Sequence, residues 1–215
     1  MEKVFPDVIC NDCTRVILND GKGSDYIHAN YIKGDPLLCT YICTQGPLPS
    51  TIFDFWRMIW LEKVSHVIML CSTMECGKKK CEQYWPEDNG ASLTFNGNNL
   101  VNNSDPHVTR TTLELKQGTE KHFLKHHRWK TWPDKTVPKS LLAVFRILHQ
   151  TRKSKTPIVV HCSAGVGRTG SFVSEIFSIK SVSQVLAKSD DSSPSFSFCS
   201  SSFVLLGSRV CFSDG

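Results

Sequence analysis

The chain has 215 residues, 40% of them hydrophobic and 21% charged, with 25 Lys and Arg against 20 Asp and Glu. That length is ample for a buried core, the charge fraction is too ordinary for a disordered chain, and 13 Gly with 10 Pro are too few for a fibrous one. No apolar run approaches the roughly 20 residues of a membrane helix, and the N-terminus carries charges and a proline where a signal peptide needs an apolar stretch, so a soluble cytoplasmic domain is expected. The net charge of +5 suits an anionic substrate or acidic partner without singling out nucleic acid. Ten cysteines raise the question of a disulfide scaffold, but a chain this long and apolar does not need one, and reduced thiols are expected.

Taken in chain order, Asp25 to Ile32, Tyr41 to Thr44, Val67 to Cys71 and Val108 to Leu115 read as strands, being short and rich in aromatic and β-branched residues. Thr51 to Glu62 predicts a helix with a Thr51–Asp54 capping box and an apolar face of Ile52, Phe55, Trp56 and Ile59. Leu93 to Val101 suggests a hairpin turning near Asn96-Gly97. Ser140 to Thr151 predicts a second helix with Leu141, Val144, Phe145 and Leu148 on one stripe. Ile158 to Val160 follows as a short buried strand, then a Gly-rich turn and helical spacing over Phe172 to Ile179. The order implies an α/β (α+β) domain over residues 1–180, a mixed β-sheet flanked by helices. Serine use then jumps, from 9 in residues 1–170 to 15 in residues 171–215, and 181–215 is expected to be a disordered tail.

The chemistry lies in His161-Cys162-Ser163-Ala164-Gly165-Val166-Gly167-Arg168-Thr169-Gly170. The strand carries Cys162 to the sheet edge. Two glycines let the backbone curl so that successive N–H groups share one concavity, and the following helix presents its positive end to the same point. Arg168 adds a planar fork suited to two oxygens of one phosphoryl group. These groups favour a thiolate over a thiol, so a cradle with Cys162 at its base implies attack on phosphorus and a phosphocysteine intermediate. An inert cysteine at an ordinary strand–helix turn is the plain alternative, and it does not explain the Cys-x5-Arg-Thr spacing with both glycines. The leaving group needs a proton, and Asp134 in Trp132-Pro133-Asp134, on a proline-edged loop, is the candidate general acid.

With those residues in place, the sequence resembles the tyrosine-specific protein phosphatase family over roughly Val4 to Ile179. The resemblance runs through Asp12-x-Thr14-Arg15-Val16, Asp25-Tyr26-Ile27-x-Ala29, Tyr41-Ile42-x-Thr44-Gln45-Gly46-Pro47, Asp54-Phe55-Trp56-x-Met58-x-Trp60 and Lys80-Cys81-x2-Tyr84-Trp85-Pro86, in family order. It implies a cofactor-free, metal-independent hydrolase acting on phosphotyrosine-containing proteins. Cys162 would be the nucleophile, Arg168 the phosphate clamp, and Asp134 the acid and then the base. His161 would help tune the sulfur and Thr169 assist breakdown of the intermediate. Ser163, Ala164, Gly165, Val166 and Gly167 would hold the phosphoryl group with Arg168. Glu75 would orient the arginine and Lys80 would sit near the acid loop. Phe5 would stack on phosphotyrosine, and Asp7 would hold the peptide backbone.

Three departures stand beside the resemblance. Phe5 replaces the family's usual Tyr, the family's leading helices are missing, and no Gln-Thr-x2-Gln-Tyr motif follows Arg168. The last motivates an alternative reading, a phosphotyrosine-binding pseudophosphatase with little turnover, and a second, a chain lacking the closing helices it needs to fold stably. Other clusters carry blander expectations. Cys10-x2-Cys13, Cys39, Cys43, Cys76 and Cys81 read as structural or surface thiols, and His122, His126 and His127 as a basic rim on a strand leading to the acid loop. The runs at Lys78 to Lys80 and Arg152 to Lys155 read as solvated loops rather than a nucleic-acid site.

Overall fold

In a computed structural model the described residues are 7–86, 106–138 and 140–184 in full, with the backbone of 97–102, 185–189, 205–206 and 209–210. Strands β1 (Arg15–Ile17), β2 (Tyr26–Ile32) and β3 (Tyr41–Thr44) lead into helix α1 (Ile52–Leu61) and β4 (His66–Met69). A small hairpin, β5 (Met74–Glu75) and β6 (Lys78–Lys79), precedes the strands β7 (Gly97–Asn102), β8 (Val108–Gln117) and β9 (Glu120–Trp129). Helix α2 (Leu141–Thr151), strand β10 (Ile158–His161) and helix α3 (Gly167–Ser189) follow, with a two-residue pair, β11 (Leu205–Leu206) and β12 (Arg209–Val210). The expected mixed β-sheet with helices is present: eight strands in the order β1-β2-β3-β10-β4-β9-β8-β7.

The position of β10 organises the rest. It lies between β3 and β4, parallel to both, with Val160 beside Cys43 and Ile68. A central parallel strand is covered on both faces, which is why Ile158-Val159-Val160 is an unbroken apolar run rather than an alternating one; all three are 0% exposed. Helix α3 packs back on β3 and β10, burying Phe172, Val173 and Ile176. Helix α1 buries Phe55, Trp56, Met58 and Ile59.

The structure corrects several local expectations. The Thr51 side chain makes no cap bond to α1; its hydroxyl accepts from the Leu48 N–H, and the Asp54 carboxylate turns to Arg57. Arg57 is also buried against Asp20, and hydrogen bonding to that guanidinium lowers the Asp20 carboxyl to about 2. On α2 the inward face is Ala143, Val144, Ile147, Leu148 and Thr151, rotated from the predicted stripe, so Leu141 and Phe145 are exposed. Gly97 lies within β7, paired with Leu115 of β8, instead of in a turn; residues 91–96 lie outside the described residues.

Two further corrections bear on the site. Helix α3 continues through Ser189, taking residues 181–189 that composition assigns to a disordered tail. The serines do not break it, because Ser178, Ser181 and Ser183 return their hydroxyls to carbonyls four residues back. The histidines of β9 are not a rim. That strand runs between β4 and β8, so His126 (0% exposed) and His127 (1% exposed) are both buried although they point to opposite faces. His127 stacks on His66 with 3.0 Å between ring nitrogens, and His122 donates to the Val64 carbonyl at 2.7 Å.

Phe172 is fully buried where α3 meets β10, and Phe172→Ala is expected to cost about 3–5 kcal/mol, read as a lower urea midpoint. The buried rings set a pH dependence. Burial lowers His66 to about 4 and His127 to about 3, both below the unfolded value of about 6.5. The unfolded chain therefore binds more protons below that value. Stability is complete above about pH 6.5 and declines as pH falls toward the folded values, by about 1.4 kcal/mol per pH unit for each ring that stays unprotonated. Urea titrations between pH 7.5 and pH 5, above the range of ordinary carboxyl groups, check this; a flat midpoint contradicts it.

Candidate active site

The segment after β10 leaves the sheet as a loop whose outer side is tied to its neighbours. The Leu70 N–H donates to the His161 carbonyl at 2.8 Å and the Gly46 N–H to the Ser163 carbonyl at 2.9 Å. The Ser163 hydroxyl donates to the Lys80 carbonyl at 2.8 Å. The approach is so close that side chains are excluded. Gly165 has φ +78°, and a Cβ there would lie 2.5 Å from the Thr44 carbonyl; one on Gly46 would lie 2.7 Å from the Cys162 carbonyl oxygen. Gly167, expected to share the curling, has open space where its Cβ would be and simply begins α3. Among the described residues, no carbonyl or side chain takes the N–H groups of Ser163, Ala164, Gly165 or Val166. Their hydrogen-bonding capacity is held ready beside Cys162, which is 3% exposed.

Arg168 reaches this loop from the first turn of α3. Its guanidinium makes a two-pronged pair with Glu75, at 2.7 and 2.9 Å, and donates to the Trp132 carbonyl at 3.0 Å. Burial is the largest single influence and works against its charge, but hydrogen bonding and charge attraction to the Glu75 carboxylate, with smaller contributions from neighbouring thiols, together outweigh it and raise its pKa. Glu75 is held in turn by the Ser72 N–H at 2.9 Å. It closes the β5–β6 hairpin, whose turn residues Cys76 and Gly77 both have positive φ (49° and 71°), the geometry of a tight two-residue loop. Lys80 follows the same hairpin, so one small element delivers both residues.

Asp134 stands over the arginine on the loop after β9. Its carboxylate pairs with Lys80 at 2.7 Å and lies 3.7 Å from Arg168. The loop is clasped by Trp132, which donates its ring N–H to the Thr136 carbonyl at 2.9 Å, and by the Thr136 hydroxyl, which donates to the Pro133 carbonyl at 3.0 Å. Hydrogen bonding to the Lys80 ammonium holds the Asp134 carboxyl below the usual range; burial opposes this and Arg168 adds to it.

His161 and Thr169 complete the surroundings. The His161 ring is fully buried, its Nδ1 is 3.1 Å from the Cys162 carbonyl oxygen, and its Nε2 is 2.6 Å from the Tyr84 hydroxyl. The Thr169 hydroxyl is buried without a hydrogen-bond partner among the described residues. The structure thus gathers Cys162, His161, Ser163, Arg168, Thr169, Glu75, Lys80 and Asp134 around one loop. Asp7 is exposed, and Phe5 lies outside the described residues. Sequence reasoning missed Tyr84 and His126, which touch each other beside His161; the signal was that His126 falls two residues after Leu124, on the same face of β9 as that apolar, buried residue.

The other thiols are set apart by burial or position. Burial raises Cys10, Cys39 and Cys43, the last to about 12; Cys71 is raised first by its hydrogen bond to Cys81. Among the described residues, no group of three or more His, Cys, Asp or Glu is arranged to hold a metal, and no helix is long and apolar enough to cross a membrane.

Comparison with known proteins places this geometry. The family model described as Protein-tyrosine phosphatase matches residues 1–193. Tyrosine-protein phosphatase non-receptor type 7 of Mus musculus is 39% identical over 178 residues, covering 79% of this chain and 49% of the relative. Receptor-type tyrosine-protein phosphatase V of Rattus norvegicus is 42% identical over 183 residues, covering 79% of this chain and 11% of the relative. The chain therefore spans about half of the one relative and a small part of the other. A solved structure of PTPN18, concerned with its fingerprint on distinct HER2 tyrosine phosphorylation sites, superposes with a TM-score of 0.75 at 33% identity, covering 92% of this chain and 72% of that one. The chain belongs to the protein-tyrosine phosphatase family.

Proposed function

We propose that this chain hydrolyses phosphotyrosine in proteins through a covalent phosphocysteine on Cys162. The observation that carries the reading is the convergence of Arg168, Glu75 and Asp134 over the Cys162 loop, with the loop N–H groups unclaimed. The phosphoryl dianion is received by those N–H groups and by Arg168, whose planar fork keeps its orientation through Glu75. The Cys162 thiolate attacks phosphorus, and the bond from phosphorus to the tyrosyl oxygen breaks as Asp134 gives that oxygen its proton. Water then attacks the phosphocysteine while the Asp134 carboxylate takes a proton from it, releasing phosphate and restoring the thiolate. We assign Thr169 to the second step because its buried hydroxyl, one residue after Arg168, has no hydrogen-bond partner among the described residues. His161 braces the Cys162 carbonyl from behind.

Asp134 must be protonated when the tyrosyl oxygen leaves, yet Lys80 and Arg168 both favour its carboxylate. A bound phosphoryl dianion offsets the Arg168 charge and restores the acid form where it is needed. The reaction depends on a thiolate, which fits a reducing cytoplasmic setting, and phosphotyrosine-bearing proteins are the proposed partners.

The test is hydrolysis of an aryl phosphate by the purified chain. Cys162→Ser is expected to abolish turnover, and Asp134→Asn to lower kcat by about a hundredfold or more. Activity that survives Cys162→Ser overturns the mechanism. Linear multiple turnover is expected in rapid mixing; a stoichiometric burst followed by a negligible steady state shows a chain that stops at the phosphocysteine.

The Lys80 contact gives a separate prediction. Lys80→Met removes the largest influence lowering Asp134, so the Asp134 pKa rises. The limb of the pH–kcat profile on which activity is lost with rising pH is expected to move to higher pH. Movement to lower pH contradicts the pairing.

A further inference from the structure

Three buried side chains form a line behind the nucleophile. The Tyr84 hydroxyl lies 2.8 Å from His126 Nε2 and 2.6 Å from His161 Nε2, and His161 Nδ1 lies 3.1 Å from the Cys162 carbonyl oxygen. All three side chains are 0% exposed. Phe55 and Trp85 pack on the edges of the rings, and the Cys71 thiol also reaches His161.

The chemistry of the atoms gives this line a direction. A carbonyl oxygen only accepts, so His161 Nδ1 carries a proton. With a single ring proton, His161 Nε2 is then a bare acceptor and the Tyr84 O–H donates to it. The Tyr84 oxygen in turn accepts from His126, whose proton sits on Nε2. That leaves His126 Nδ1 as a bare lone pair, and Nδ1 is the one ring atom of the line with no hydrogen-bond partner among the described residues. The reverse arrangement needs a doubly protonated His161 donating to Tyr84, with Tyr84 donating to His126. The His126 proton would then sit on Nδ1 as a buried N–H with no partner among the described residues, and buried N–H groups go unpaired less often than buried acceptors do. Burial, with the Arg128 charge adding to it, also keeps His126 well below the usual histidine range and therefore uncharged.

We infer that His126 is a positioning residue for the phosphatase reaction: with no Nδ1 partner among the described residues its proton sits on Nε2, which directs the chain His126→Tyr84→His161 toward the Cys162 carbonyl and holds the nucleophile loop in register. This rests on the function proposed above, but the direction of the chain does not, and it is measured without substrate. His126 touches no reacting atom. It acts through Tyr84 and His161, on a strand whose far end carries the acid loop.

The first measurement is a long-range nitrogen–proton correlation spectrum of the unmodified chain near pH 7.5, with ring signals assigned through His126→Gln and His161→Gln. The expected result is a protonated Nε2 and bare Nδ1 for His126, with the opposite pattern for His161. A protonated Nδ1 on His126, or an imidazolium at His161, overturns the inference whatever the activity. The second uses aryl phosphate turnover. His126→Leu removes the donor and is expected to lower kcat about tenfold while KM stays within about twofold. His126→Gln restores an N–H donor at the Nε2 position and is expected to recover most of that loss. If Leu and Gln variants of equal thermal stability have equal kcat, the role is structural filling and the inference fails. If no form turns over substrate, the proposed function fails, while the nitrogen spectrum still decides the direction of the chain.

Discussion

The two-pronged pair between Arg168 and Glu75 is the contact on which the site depends. Taking both charges out of water carries a cost of several kcal/mol per ion, which only very good geometry offsets. Here the arginine side chain is 4% exposed and the glutamate 15%, with both prongs under 3 Å. The pair is therefore better understood as a locator than as a source of stability. Three segments far apart in sequence, at residues 75, 132 and 168, meet on one guanidinium because it presents several donors in one plane. A lysine in its place offers a point charge with no plane, and could not fix the hairpin, the acid loop and α3 relative to one another.

That arrangement is useful only if the loop beside it stays open to a ligand, and the packing behind the loop accomplishes this. Gly46 and Gly165 bring two main chains together at distances that no Cβ could survive. The carbonyls of His161 and Ser163 are spent on Leu70 and Gly46, and the Ser163 hydroxyl on Lys80. The side of the loop that could bond inward is thus consumed, while the N–H side is left unclaimed. Donors held in this way need no reorganisation when an anion arrives. Central burial of β10 supplies the rigid base, since a strand paired on both edges and covered on both faces has no freedom to shift Cys162.

Much of this was legible from residues alone, and what was not has identifiable causes. β10 and the loop after it could be read because a fully buried strand is an unbroken apolar run and because Cys162, Arg168 and the glycines are close in sequence. The inward face of α1 could be read from Phe55, Trp56 and Ile59 at helical spacing. Contacts that join distant segments left no local trace: nothing near Glu75 announces Arg168, and only the family resemblance linked them. The β9 histidines misled because polarity suggests exposure, whereas a strand between two others buries consecutive residues of any type. The end of α3 misled because serine-rich composition resembles a tail, although a hydroxyl can return to the helix that carries it. The rotation of α2 shows the limit of amphipathic reading. Leu141 and Phe145 are apolar yet exposed, while the buried face includes Thr151, a polar residue whose hydroxyl is satisfied within the helix by the Ile147 carbonyl.

Charge ties the acid loop to the rest of the site. Asp134 meets two cations, Lys80 from the β5–β6 hairpin and Arg168 from α3, and those two are themselves fixed by Glu75 and by the hairpin that carries it. The main-chain carbonyl of Trp132 adds a contact that carries no net charge. An oxyanion entering the loop competes with Asp134 for Arg168 but has no claim on the Trp132 carbonyl, since both are acceptors served by separate donors of one fork. Loss of the Arg168 attraction therefore need not release the loop. The carbonyl contact and the Lys80 pair keep Asp134 in place while its preference for the charged form weakens. In the proposed reaction the Asp134 carboxyl then holds its proton more readily, and the same two cations favour its carboxylate again once the anion leaves.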